Sequence, residues 1–120
     1  MPKDKSAPEA MRDRLAELED EEPRPPEFSD EALALRFAAR FDDRLRYVAA
    51  LGRWLEWDGA RWQFEDTLHA LDLARAICRE ASAECNRPKA AHAIASAKTI
   101  AAVERLAKAD RRIAATVDQW

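Results

Sequence analysis

From Phe28 onward the chain switches between two hydrophobic periods, and each switch marks a boundary between elements. Leu33, Phe37 and Phe41 recur every four residues, with Ala34 and Ala38 beside them. That spacing puts them on one face of an amphipathic helix. Ser29 precedes the run and is a good N-cap, and Asp30 and Glu31 suit the positive end of the helix dipole. Phe28 and Leu33 have the spacing of a hydrophobic staple, and the helix is predicted to end near Asp42-Asp43. The period then shortens. Leu45-Arg46-Tyr47-Val48-Ala49-Ala50-Leu51 is strand-like and is broken by Gly52. Arg53–Trp57 and Arg61–Glu65 are the second and third strands, joined at Asp58-Gly59, because glycine tolerates the positive φ of a tight hairpin turn. Trp62 and Phe64 fall on one face of the third strand, and Arg61, Gln63 and Glu65 on the other. A three-stranded antiparallel meander follows. Alone it is too thin to be stable, so a helix must cover one face.

After Asp66 the helical period returns. Leu68, Leu71, Ala74, Cys78, Ala81 and Cys85 form one stripe with Ile77 beside it, and Asp66 or Thr67 is the expected cap. Asn86-Arg87-Pro88 interrupts the pattern, since proline suits the first turn of a new helix. A second long helix is predicted from Pro88 to Lys108, carrying Ile94, Ala97, Ile100, Ala101, Val103 and Leu106. A short helix is predicted over Arg111–Val117.

Ahead of all this, residues 1–27 read as a disordered tail. The acidic run Glu19-Asp20-Glu21-Glu22 leads into Pro23-Arg24-Pro25-Pro26, a composition that cannot bury enough apolar area to offset ordering the backbone. Met11, Leu15 and Leu18 share a face and allow a short helix there, marginal by itself. The expectation is one α+β domain over residues 28–120. It has an N-terminal helix, a three-stranded antiparallel β-meander, two long helices and a short C-terminal helix, preceded by an acidic, proline-rich tail.

Charge changes along the chain. Residues 1–29 hold five basic and nine acidic side chains, residues 30–66 six and eight, and residues 67–120 nine and six. With a net charge of −3, the chain is not a polyanion binder by composition, but its helical half is mildly basic. No stretch approaches the roughly 18 apolar residues of a membrane helix. The charged N-terminus has no apolar core of a secretory signal, and its many acids argue against a mitochondrial transit peptide. A cytoplasmic location and no membrane partner are expected. Cys78 and Cys85 lie seven apart in a predicted helix, a rise of about 10.5 Å. That is too far for a disulfide, so two buried, reduced thiols are expected.

Catalytic patterns are missing. With two glycines the chain has no phosphate-cradling loop, and it has no His-Glu-x-x-His, Cys-x-x-Cys or Gly-x-Ser-x-Gly. Asp42-Asp43 is an adjacent carboxylate pair at a helix end, where solvating the terminus is the simpler role. His69 and His92 are lone helical histidines with no metal-ligand spacing to the cysteines. No catalytic residue, metal or cofactor is expected, and the chain is not read as an enzyme.

The densest signal is aromatic: Trp54, Trp57, Trp62 and Phe64, interleaved with Arg53 and Arg61. Aromatics and arginines on a sheet can stack bases and hold phosphates. Three indoles can equally supply the apolar area that a small sheet needs for packing on helices. Core packing weighs more heavily for Trp57 and Trp62 than for Trp54, which makes Trp54 the candidate aromatic contact. Candidate nucleic-acid contacts are Arg53 and Arg61 on the sheet and Arg75, Arg79, Arg87, Lys89 and Lys98 on the helices, the latter more readily read as a solvated face.

The stretch from Ser29 to Trp120 resembles the N-terminal, non-catalytic domain that precedes the helicase in phage/plasmid-type primases. Three features carry the resemblance. The first is the opening helix with Arg36-Phe37 leading into Leu45-Arg46-Tyr47-Val48. The second, and most specific, is Gly52-Arg53-Trp54-Leu55-Glu56-Trp57-Asp58-Gly59-Ala60-Arg61-Trp62. The third is the helical tail ending in Asp118-Gln119-Trp120. The resemblance implies a role in replicating a mobile element, as a connector, docking surface or DNA-contacting module beside a ring-forming ATPase motor. It implies DNA and the helicase and primase domains as partners, oligomerisation with the motor, and a natural chain continuing past Trp120. None of the family's catalytic motifs lies in this segment, so no catalytic residue carries over. The rival expectation is a stand-alone, phage-derived interaction protein that binds and inhibits or regulates a host or phage complex.

Overall fold

The computed structural model describes residues 23–119. Residues 1–22 of the expected disordered tail, with the short helix that Met11, Leu15 and Leu18 allow, and the terminal Trp120 lie outside the described residues. Helix α1 (Asp30–Phe41) begins where its cap stands: Ser29 Oγ accepts the Ala32 N–H at 3.1 Å. Its apolar stripe, Leu33, Ala34, Phe37, Ala38 and Phe41, is buried, and Phe28 packs against the same core.

Strand β1 (Leu45–Val48) is shorter than the strand-like run predicts. Leu51 and Gly52 donate back to the Val48 and Ala49 carbonyls, both at 3.1 Å, and Gly52 takes φ +63°. These bonds turn Ala49–Leu51 out of the ladder and into a tight reversal. Strands β2 (Arg53–Trp57) and β3 (Trp62–Glu65) form the expected hairpin. Asp58 organises the loop, since its Oδ1 accepts the Ala60 and Arg61 N–H groups, each at 2.8 Å, while Gly59 sits at φ +103°.

Helix α2 (His69–Glu84) is capped by neither Asp66 nor Thr67. The N-cap position is Leu68, at φ +62° and without a capping side chain. Glu65, at the end of β3, takes the role instead, and its two carboxylate oxygens accept the Thr67 and His69 N–H groups, each at 2.8 Å. The predicted stripe holds through Ala74, Ile77, Cys78 and Ala81, and fails at its start, where Leu68 is left-handed and Ala70 is buried in place of Leu71. Ala70, Ala74, Ile77, Cys78 and Ala81 are buried, whereas Leu68 is 72% exposed.

The predicted long helix from Pro88 to Lys108 is two helices, α3 (Pro88–Ile94) and α4 (Ala97–Ala107). Ser96 makes the break by capping α4, its Oγ accepting the Thr99 N–H at 3.2 Å. The short helix expected over Arg111–Val117 does not form. Asp110 accepts the Arg112 N–H at 2.9 Å, and the turn delivers Ala114–Ala115 as a fourth strand, β4, parallel to β1. A single 3₁₀ turn, Val117–Gln119, follows. The sheet order is β3-β2-β1-β4, four strands where three were expected.

The α+β class holds, with α1, α2 and α4 packed together and laid against one face of the sheet. The core joins Phe37, Ile77, Cys78 and Val103 from the helical layer, and Ile113 from the turn before β4, to Leu45 and Trp54 from the sheet. Both thiols are free. Cys78 is buried and Cys85 only partly so, and burial pushes the Cys78 thiol up to about 11. Among the described residues no helix is long and apolar enough to cross a membrane.

Candidate nucleic-acid interface

The register of the ladders sorts the sheet into two chemically different faces, because residues opposed across an antiparallel pair share a face and neighbours along a strand do not. Leu45, Tyr47, Trp54, Glu56, Gln63 and Glu65 form one face. Arg46, Val48, Arg53, Leu55, Trp57, Trp62 and Phe64 form the other.

The first face meets the helices. Trp54 lies edge-on to Phe37 and Tyr47, with ring centroids 6.1 and 5.2 Å away, and its Nε1–H donates to Glu104 Oε2 at 2.9 Å. Glu56 meets His69 Nδ1 at 2.7 Å and Arg44 at 3.5 Å. Glu65 caps α2. Burial acts to raise its pKa, but the hydrogen bonds from Thr67 and His69 prevail and hold the carboxyl below its usual value. Both acids of the four strands are thus engaged on the helix side.

The opposite face carries no strand acid. Val48 and Leu55 are fully buried at its centre. Around them the Trp57 and Trp62 rings meet edge to face at 5.5 Å, and Trp57 and Phe64 are 40% and 45% exposed. The Arg46 guanidinium lies 5.1 Å from the Trp62 ring centre, and that of Arg53 lies 4.2 Å from Phe64. Arg46 donates to the main-chain carbonyls of Asp42 and Leu45. Cation–π contact and carbonyl bonds orient these guanidiniums without neutralising them.

A groove extends this surface across the sheet. It is lined by Trp62 of β3, Arg46 of β1, Ala114 and Ala115 of β4, and Arg111 and Arg112 just before β4, with Asp42 and Gln119 at its rim. Arg112 is committed to Asp110 at 2.9 Å, and that hydrogen-bonded pairing raises the guanidinium's pKa and lowers the carboxyl's. Among the described residues Arg111 donates to the Ala109 carbonyl, at 2.7 and 3.1 Å, and its charge helps to lower the Asp110 carboxyl pKa. Arg46, Arg53 and Arg111 therefore present positive charge beside exposed aromatic rings.

The predicted contacts separate on the structure. Arg53 is on the arginine–aromatic face. Arg61 is exposed in the hairpin loop, where its backbone N–H is the largest influence lowering the Asp58 carboxyl pKa. Trp54, the candidate aromatic contact, is 8% exposed and faces the helices, while Trp57 is the open indole, the reverse of the expected order. Arg75 pairs with Asp72 at 3.1 Å. Arg79, Arg87, Lys89 and Lys98 are exposed on or beside α2, α3 and α4, and Arg75 and Arg87 line separate grooves. The helical cations do not converge.

Nothing in the sequence marks Arg46 and Arg111 as contacts, and apolar content favours the core for Trp57 and Trp62. The signal for the face was present in the alternation that sets Trp62 and Phe64 together. Among the described residues, no group of three His, Cys, Asp or Glu side chains could hold a metal ion.

These features define a two-layer α+β domain with helices on one side of a small sheet and an arginine–aromatic surface on the other. The chain belongs to the family described as D5 N terminal like, whose model matches residues 34–120, from within α1 to the C-terminus. The match agrees with the N-terminal domain of primase–helicase proteins, which bears out the resemblance carried by the Gly52–Trp62 element. Comparisons with curated proteins and with solved structures each gave no match.

Proposed function

We propose that this chain is a non-catalytic accessory domain of a primase–helicase, acting in mobile-element DNA replication by contacting DNA beside the motor. Family membership supports the replication setting. The observation that favours DNA contact over a purely connecting role is the outer sheet face, where, among the described residues, Arg46, Arg53 and Arg111 form no salt bridge and stand beside Trp57, Trp62 and Phe64. An anionic polymer of planar rings matches both properties of that surface.

A second reading, docking to a protein of the replication complex or inhibition of one, draws on Leu68. This side chain is 72% exposed beside a shallow groove shared with Leu71 and Arg75.

Fluorescence anisotropy of labelled DNA, titrated with the protein at about 50 and 200 mM salt, separates the two. Micromolar binding that weakens steeply with salt supports DNA contact, because releasing counterions from phosphates carries that dependence. No binding at the lower salt would remove DNA contact and favour docking.

A further inference from the structure

We propose that the outer sheet face is a binding surface for single-stranded nucleic acid, holding bases by stacking on Trp57 and Trp62 and the backbone by Arg46, Arg53 and Arg111. This inference rests on the DNA-contacting reading and adds which form of nucleic acid is bound, and where.

Four features favour a single strand over a duplex. The exposed groups are rings, and a base can stack on them only when it is out of a helix. The rings lie across strands rather than on a protruding element: Trp57 opposes Trp62, and Leu55 opposes Phe64. Among the described residues no helix stands on this side to enter a groove of duplex DNA, because α1, α2 and α4 pack against the other face. The guanidiniums are spread from Arg53 over Phe64, through Arg46 over Trp62, to Arg111 at the β4 edge. With strands about 4.8 Å apart, four strands span about 14 Å. That is room for about two or three bases, the number that other aromatic four-stranded sheets stack.

Charge agrees with this choice. Both strand acids, Glu56 and Glu65, are held on the helix side by His69, Arg44 and the first turn of α2, so no carboxylate on the strands opposes a phosphate. Asp42 lines the groove and Asp58 lies in the hairpin loop. Asp58 is turned to the Ala60 and Arg61 N–H groups and to Gln63. Few hydrogen-bonding groups point outward from the strands, so recognition by stacking will be tolerant of base sequence.

The test measures binding of the full chain to labelled oligo(dT), to a duplex of equal length and to oligo(U). The proteins compared are the wild type, Trp57→Ala, Trp57→Phe, Arg53→Ala and the helical double variant Arg79→Ala/Lys98→Ala, each checked for fold by thermal melting. The single strand is expected to bind at least about tenfold more tightly than the duplex. Trp57→Ala should weaken it by about tenfold, with Trp57→Phe restoring most of the loss. Three phosphate contacts predict roughly twentyfold weaker binding to oligo(dT) at 200 than at 50 mM salt, and Arg53→Ala should flatten that dependence. The helical variant should bind as the wild type does. Oligo(U) binding equal to oligo(dT) supports stacking without regard to the sugar.

Equal or tighter binding to the duplex overturns the inference but leaves DNA contact standing. So does loss in the helical variant with none in Trp57→Ala or Arg53→Ala. Absence of binding to every nucleic acid at 50 mM salt removes both the inference and the DNA-contacting reading.

Discussion

Conservative replacement of each of two tryptophans, three residues apart on one strand, separates the inner face of the sheet from the outer. In Trp54→Phe the aromatic ring survives but the Nε1–H does not. The indole nitrogen donates at 2.9 Å to Glu104, whose side chain is only 18% exposed and also meets Lys108 at 3.5 Å. A hydrogen bond to a charged acceptor contributes about 1.5–3 kcal/mol, and removing the donor costs at least that when the acceptor stays partly buried. Loss of the second ring also thins the contacts with Phe37 and Tyr47. The expected destabilisation is about 2 kcal/mol. For a domain of this size each kcal/mol lowers the melting temperature by roughly 4–8 °C, so a fall of about 10 °C is expected. Trp57→Phe keeps an aromatic ring at a position that is 40% exposed and has no hydrogen bond to lose. Its cost should stay within about 0.5 kcal/mol. Urea denaturation followed by far-ultraviolet circular dichroism measures both. Should Trp57→Phe prove the more damaging of the two, the assignment of faces is wrong and the arginine–aromatic surface with it.

Three further perturbations test other parts of the structure. Glu65→Gln should destabilise by about 1 kcal/mol at neutral pH by weakening the cap on α2. Because the folded carboxyl titrates below its usual value, its contribution is fully present above the unfolded-state pKa of about 4.3. That contribution is lost as pH falls through the lower folded value, so wild type and variant should converge in acid denaturation; a gap that persists in acid would contradict the capping role. Cys78, with its thiol raised to about 11, should resist iodoacetamide at pH 8 while partly exposed Cys85 reacts, as peptide mass spectrometry would reveal. Ser96→Ala should cost about 1 kcal/mol by uncapping α4, read as a lower melting temperature.

Local chemistry made much of the fold readable in advance. Ser29 and the Leu33–Phe37–Phe41 spacing mark α1, and Asp58-Gly59 marks the hairpin, because a cap and a tight turn are decided by residues within four positions of each other. What escaped depends on distant partners. Ala114-Ala115 has no strand propensity and pairs only because β1 lies beside it. Ser96 sits in an alanine-rich run whose apolar pattern does not distinguish one helix from two, and the side chain's bond to Thr99 decides the matter. Leu68 looked like the start of a buried stripe, but the cap comes from Glu65 on the preceding strand and turns that leucine outward.

The candidate site was half legible for the same reason. Strand alternation tells which side chains share a face, so Trp62 and Phe64 were correctly joined. It does not tell which face the helices cover. Trp54 goes inward with Glu56 and Glu65, whose carboxylates find His69, Arg44 and the start of α2 there. Apolar content alone favours the opposite choice, which is why Trp57 and Trp62 were expected in the core. Arg46 and Arg111 were not visible as partners because the groove they share with Trp62 exists only once β4 pairs with β1.

Where a bound strand touches the protein is the most direct test of the outer-face site. Photocrosslinking of 5-iodouracil-substituted single-stranded DNA to the full chain, followed by peptide mass spectrometry, locates that contact. Crosslinks concentrated at Trp57, Trp62 and Phe64, and absent from Trp54, are the predicted result. Crosslinks confined to the helical segment from Arg75 to Lys98, or none under conditions where binding is saturated, would contradict it.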